Sequence, residues 1–306
     1  MLGKWIEHFP GNENCPEFNS VNSYWGISDM DLKTLKKTPS WEWPDNADGF
    51  LIGVLGDENA DPADRMIAAE LAGEFSVAGD KMADALLSVI KSNHENERLR
   101  TKAVSSLGPG LEYADMMEFE DPDDIMISEK TFKKIQGTLR KLYMDAGVSA
   151  FLRRRILEAS VRAPQTWHQN AVRVAYKSGV EEWKITAVFC MRYVKGFDKQ
   201  ILESVKDRNP EIECHAIYAA GNWELNDAWP YIVSLLSAYK TPKNLLLAAI
   251  EAAATIRPSE ASPLLRDLLD SDDQDIVDTV YEAVHTAEAI GKNSFEEYDD
   301  EDFDKF

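Results

Sequence analysis

RMIAAELAG at 65–73, RTKAVSSLG at 100–108 and ECHAIYAAG at 213–221 decide the fold. Each places a small or apolar residue three and seven positions after its first residue and closes on Gly: Ala68/Ala72/Gly73, Ala103/Leu107/Gly108 and Ala216/Ala220/Gly221. Weaker copies are Arg153/Ile156/Ser160, Lys184/Ala187/Met191, Leu246/Ala249/Ala253 and Val280/Ala283/Ala287. The starting positions 65, 100, 153, 184, 213, 246 and 280 are spaced by 35, 53, 31, 29, 33 and 34, so one interval is anomalous. Offsets of three, four and seven share one face of an α-helix, and small side chains there admit a close neighbour. Between the copies lie second amphipathic segments at 80–92, 197–208, 228–239 and 262–270. The unit is a helical hairpin of about 30–35 residues.

Punctuation supports this. Pro62, Pro210 and Pro242 are expected in first helical turns, and Gly73, Gly108, Gly179 and Gly196 where helices stop. Residues 51–55 (LIGVL) have the look of a short buried strand, but no partner strand follows, and they are assigned to the second helix of a first hairpin.

The recurring R-x-x-A-x-x-x-[AL]-G stripe, with Arg65, Ala68, Ala72 and Gly73 and again Arg100, Ala103, Leu107 and Gly108, resembles the HEAT repeats, in particular the short phycobilisome-lyase-like bacterial type. The resemblance implies an all-α solenoid of about seven hairpins over 49–291, stacked quasi-one-dimensionally into a curved rod that holds a partner on an extended concave face formed mostly by the second helices. Such solenoids serve as scaffolds, adaptors, lyases, hydroxylases and DNA-repair enzymes, so fold alone names no function. The iron-dependent deoxyhypusine hydroxylases among them carry several His-Glu dyads. This chain has His94-Glu95 only, and one dyad cannot build a di-iron centre. No pigment-binding motif of a lyase is present.

Composition bounds the rest. The 306 residues are 44% hydrophobic, enough for one or two ordinary cores, and mean hydropathy is −0.37. No stretch reaches the roughly 18 consecutive apolar residues of a membrane helix. Three cysteines cannot all pair, and Lys4, Glu7 and His8 interrupt the apolar start, so a cytoplasmic protein is expected. The net charge of −21 is segregated: residues 1–129 hold 10 bases and 26 acids, 130–208 hold 17 and 7, and 209–306 hold 6 and 21. A basic middle lies between two acidic ends.

Three segments depart from the repeat. The long interval contains an acidic insertion, 108–128, with seven acids between Glu112 and Asp124. Asp121/Asp123 fails the calcium-loop pattern because Ile125 stands third, and Asp270/Asp272 fails because Tyr281 stands where a bidentate Glu belongs; these aspartates are expected to cap the next helix. Residues 1–48 form an irregular cap holding Trp5, Trp25, Trp41 and Trp43, four of the eight tryptophans, and the alternative is a stretch that grips a partner. Residues 292–306 form an acidic tail, expected to be disordered.

No catalytic constellation emerges. The five histidines make no i, i+4 metal pair, so no metal or cofactor is expected. Cys214 and His215 are adjacent on a helix, about 100° apart, and cannot serve each other as nucleophile and base. The densest polar-aromatic stretch is Arg153, Arg154, Arg155, Arg162, Trp167, His168, Arg173, Trp183, Lys184 and Arg192. Arginine forks and neighbouring indoles suit an anion, an acidic segment of a protein partner, or the chain's own tail at 296–306. The competing reading pairs these arginines with acids of neighbouring repeats and buries the tryptophans. A second cluster, GNWELNDAW at 221–229, reads as a packing plug. The expected function is a non-enzymatic interaction scaffold. The alternative is a nucleic-acid-binding or repair protein using the basic middle: alkylpurine DNA glycosylases of HEAT-like fold use Trp, Asp and Arg, but Trp167, Trp183, Asp198 and Arg154 do not reproduce a motif spacing.

Overall fold

The computed structural model describes residues 31–119, 126–238 and 240–300, the last ten as backbone. It is all-α, with no strand among the described residues. The helices are α1 (Leu32–Lys37), α2 (Ala47–Gly56), α3 (Pro62–Leu71), α4 (Asp80–Lys91), α5 (Glu97–Met116), α6 (Glu129–Met144), α7 (Ala150–Ser160), α8 (Thr166–Tyr176), α9 (Glu181–Cys190), α10 (Asp198–Ser204), α11 (Pro210–Asn222), α12 (Trp229–Ser237), α13 (Lys243–Ile256), α14 (Pro258–Arg266) and α15 (Gln274–Asp300). Contacts divide the chain into two compact units, residues 1–165 and 166–306.

The seven stripe copies fall on α3, α5, α7, α9, α11, α13 and α15. Each packs against the helix before it, giving seven hairpins, α2/α3 to α14/α15, stacked in the α-solenoid manner within each unit. In the first unit α3, α5 and α7 lie side by side in one layer and α2, α4 and α6 in the other; in the second, α9, α11, α13 and α15 are neighbours in one layer. The stripe is the contact between them: Ala68, Ala72, Ala103, Leu107, Ile156, Ser160, Ala187, Met191, Ala216, Ala220, Ala249, Ala253, Ala283 and Ala287 are all buried. Contact is closest at Gly221, where an added Cβ would stand 2.8 Å from Ala252 Cα. Only a residue without a side chain fits there.

Side chains cap the helix starts. Asp61, Asn96, Ser128, Ser149 and Asn209 each accept from a backbone N–H of the first turn. Pro62 and Pro210 open α3 and α11, whereas Pro242 lies one residue earlier than expected, as the cap of α13.

Two boundaries differ from the sequence expectation. The insertion expected from Gly108 begins later, because α5 runs on to Met116 with Pro109 inside it. Gly108 is no stop: it is buried in mid-helix, and a Cβ there would meet Arg162 Cδ at 2.9 Å. Burial of Leu107, Leu111 and Ala114 holds the helix together across a proline that removes one hydrogen bond. Asp121, Asp123 and Ile125 lie outside the described residues. At the other end, the backbone of 292–300 is helical, since extending a helix nucleated over 274–290 costs little per residue; 301–306 lie outside the described residues. So do residues 1–30, including Trp5 and Trp25, while the following stretch forms α1, a 3-10 turn at Ser40–Glu42 and the start of α2.

Side-chain links join successive repeats within each unit. Near helix starts, Arg65 Nη2 donates to Glu95 Oε1 at 2.6 Å, Ser149 to Glu97, Asn209 to Glu181, and Lys243 Nζ to both Asp273 and Asp275 at 2.7 Å. Near helix ends, hydroxyl and indole donors satisfy carbonyls of the preceding stripe helix. Ser106 Oγ reaches Ala69 O at 2.6 Å, Trp223 Nε1 reaches Met191 O at 2.7 Å and Thr255 Oγ1 reaches Gly221 O at 2.8 Å.

Candidate interaction surface

The first residue of the stripe proves to have a job of its own. Arg65 donates through Nε and Nη2 to Leu55 O, ten residues back at the end of α2, and Arg100 Nε does the same to Ile90 O at the end of α4. A long cationic side chain there closes orphan carbonyls and complements the negative end of the helix dipole. Arg153 holds the equivalent position on α7, but its Nε is buried with no hydrogen-bond partner.

The ten residues singled out from sequence divide between the units. In the first unit Arg155 pairs with Glu158 one turn on, and Arg162 reaches Glu112 on α5. Both cations are therefore neutralised by acids of the chain itself. Arg153 and Arg154 are half-buried on α7. In the second unit Trp167 and His168 are buried on α8 with ring centroids 3.8 Å apart, and Arg173 is exposed on the same helix. Trp183 is half-buried on α9. Lys184 Nζ sits 2.5 Å from Asp207 Oδ2 and 5.7 Å from the Tyr176 ring centroid. The hydrogen bond to Asp207 raises the Lys184 ammonium above its usual range.

The second unit contains a recurrent arrangement that charge counting did not reveal. Besides Lys184, Arg192 stacks on Tyr218, Lys195 on Trp223, Lys206 on Tyr231 and Arg257 on Trp229, at 5.1–5.7 Å from the ring centroids. Such contacts occur roughly once per 70–80 residues in proteins at large; here they bind five cations between 184 and 257. The tryptophans of 221–229 are part of this, and Trp223 is the plug expected from sequence, half-buried with its indole N–H spent on Met191.

Three neighbouring helices, α9, α11 and α13, carry the densest chemistry. Glu211, Cys214, His215, Tyr218 and Asn222 share one face of α11 by their spacing. His215 meets Phe189 of α9 edge-on at 5.4 Å, Arg192 covers Tyr218 at 5.3 Å, and Asn222 Nδ2 donates to Arg192 O at 2.9 Å. Cys214 Sγ lies 3.6 Å from Asn244 O of α13. Burial, with Glu213, Glu251 and Glu211 around it, pushes the Cys214 thiol up to about 11. Burial, Glu251 and Cys214 push the Tyr218 phenol well above its ordinary range against the pull of Arg192. Both are held protonated at neutral pH, so the face offers hydrogen-bond donors and ring surfaces. His215 and Cys214 do not form a dyad; each turns to a different neighbouring helix. The signal available in the sequence was the i, i+4, i+7 recurrence of polar and aromatic residues on a helix whose other face is alanine.

His94 is exposed, and its neighbour Glu95 is taken by Arg65. Among the described residues no cluster of three or more His, Cys, Asp or Glu is arranged around a common point, and no helix is long and apolar enough to cross a membrane.

A family model for HEAT repeats matches residues 199–284. This part of the chain carries HEAT repeats. The matched HEAT segment runs from α10 into α15 and contains the Cys214–Tyr218 face. Solved structures similar to the chain include an X-ray structure of the Escherichia coli protein YibA, with 16% identity, 83% of this chain and 85% of that one covered, and a TM-score of 0.42. Human deoxyhypusine hydroxylase in complex with glycerol is 14% identical, with 84% and 88% covered and a TM-score of 0.38. A designed armadillo repeat protein is 12% identical, with 78% and 98% covered and a TM-score of 0.29. No curated protein matches the sequence.

Proposed function

We propose that the chain is a non-enzymatic scaffold that holds a segment of a protein partner on the stripe-helix layer of its repeats, which are of the short phycobilisome-lyase-like type on the strength of the Arg65 and Arg100 stripes. The observation that supports this best is the α9–α11–α13 face: Phe189, Arg192, Tyr193, His215 and Tyr218 stand half-buried on adjacent helices, the residue types that anchor interfaces. Its thiol and phenol are held protonated, which suits recognition and not acid–base or nucleophilic work. An acidic segment is the partner suited to Arg173, exposed on α8, and to Arg192, which covers Tyr218, both in the second unit. Arg155, Arg162 and Lys184 already have carboxylate partners.

The test is a pull-down with the tagged full chain from native cytoplasm, with and without nuclease, run beside the Arg192→Ala and Arg173→Ala variants. A protein retained after nuclease and depleted by Arg192→Ala is the expected result. Material that disappears with nuclease would transfer the basic middle to nucleic-acid binding, the sequence alternative.

A further inference from the structure

A cavity of about 610 Å³ opens in the first unit, between the turn that precedes α2 and the start of α4. Its size falls in the range of about 300–1,000 Å³ usual for ligand sites. It belongs to the stretch whose tryptophans stood out in the sequence and shares no residue with the surface described above.

Its walls are aromatic and set in place. Trp43 is half-buried, and its Nε1 donates to Leu35 O at 3.0 Å and Thr38 O at 2.9 Å, the last carbonyls of α1. One indole thus caps a helix and fixes its ring plane at the cavity. Trp41 stands on the 3-10 turn that follows Pro39 and is 71% exposed. An indole so exposed presents a broad ring surface at the mouth of the cavity. Pro44, Val77, Ala78 and Met82 complete the apolar surface.

Among the described residues the polar lining has one sign in excess: Asp45, Asp48 and Asp80 line the cavity with one cation, Lys81. Asp80 is fixed by Ser128, whose N and Oγ both donate to it at 2.8 Å. Burial works against its charge, but those bonds and Thr131 hold the carboxyl below the usual carboxylate range, so it is ionised at neutral pH. Asp48 accepts from Gly49 N at 2.6 Å.

We propose that this cavity binds a basic side chain, arginine or lysine, from an extended cationic segment of a protein partner, its charge facing Asp45, Asp48 and Asp80 and its stem lying on Trp41 and Trp43. Indole faces attract cations, most strongly where water is excluded, and carboxylates at the rim add charge-assisted hydrogen bonds. Residues 1–30 of this chain fit poorly as the occupant: they bring Lys4 against Glu7, Glu13, Glu17 and Asp29. The site is separate from the α9–α11–α13 face and does not depend on the scaffold reading.

The probe is hexa-arginine peptide with blocked ends, titrated calorimetrically into the full chain at about 0.15 M salt, where fields from distant charges are screened beyond about 8 Å. Trp41→Ala, which leaves the net charge at −21, is expected to weaken binding about tenfold, and Asp45→Asn with Asp48→Asn at least as much. Tyr281→Ala, which removes a 63% exposed aromatic from α15 in the other unit, is expected to bind as the native chain does. Affinity unchanged by Trp41→Ala would overturn the proposal. So would an equal loss with Tyr281→Ala, since the peptide would then be held by overall charge, or tighter binding of hexa-glutamate than of hexa-arginine.

Discussion

Arg65 shows how much one side chain can hold. It is 8% exposed and satisfies Leu55 O behind it and both oxygens of Glu95 ahead. Arg65→Met should lower unfolding free energy by about 3–5 kcal/mol, because Glu95 and a helix-end carbonyl are left buried without a donor. Adding Glu95→Met should return part of that loss, as read from urea midpoints at constant slope; a double variant worse than the single would show that the pairing is misread. Lys184 and Asp207 make a pH prediction with a definite sign. Burial opposes the Asp207 charge, but Lys184 and the N–H of Asn209 hold its carboxyl below the ordinary range. Its stabilisation is complete above the unfolded value of about 3.9 and disappears as pH falls through the depressed folded value. For Lys184 the raised value means stabilisation that is whole below about 10.4 and is lost only as pH rises further. Melting temperature should therefore drop on the acid side below about pH 4, and Asp207→Asn should make that limb shallower. An acid limb as steep in the variant as in the native chain would remove the pair from the account.

Among the helices, spacing was decisive and punctuation was not. The alanine stripe located all seven stripe helices, because a period of 3.6 with small residues has few other structural uses. Pro109 and Gly108 were misleading, since a breaker is weighed against local propensity while Leu107 and Leu111 are buried against other helices, and packing prevailed. The arginine row at 153–155 was legible as unusual and the Arg155–Glu158 pair lies at helical spacing, but the neutralisation of Arg162 could not be read, because Glu112 lies 50 residues from it. The two kinds of glycine make a test at this scale. Gly221→Ala should cost about 1–3 kcal/mol by forcing α11 from α13, where Ala252 has no room to yield. Gly110→Ala, in the same kind of helix but with nothing within 4 Å, should stabilise by about 0.5–1 kcal/mol. Thermal melts of the two variants should move in opposite directions. Shifts of the same sign would mean that the close approach at Gly221 is not there.

At the scale of the molecule, a repeat protein is held by nearest-neighbour contacts, so stability is a sum over repeats and junctions. Arg65 and Gly221 belong to different units. Arg65→Met and Gly221→Ala should therefore add to within about 0.5 kcal/mol in denaturant unfolding, and a coupling well above that would mean that the two sites share a network of contacts. The links between successive repeats carry a further consequence. One junction uses arginine with glutamate, another serine with glutamate, another asparagine with glutamate, and the last a lysine shared by two aspartates. Each seam is a differently cut key. At these four seams a repeat moved, duplicated or deleted would meet a lock cut for another, so the order of modules within each unit is written into their edges.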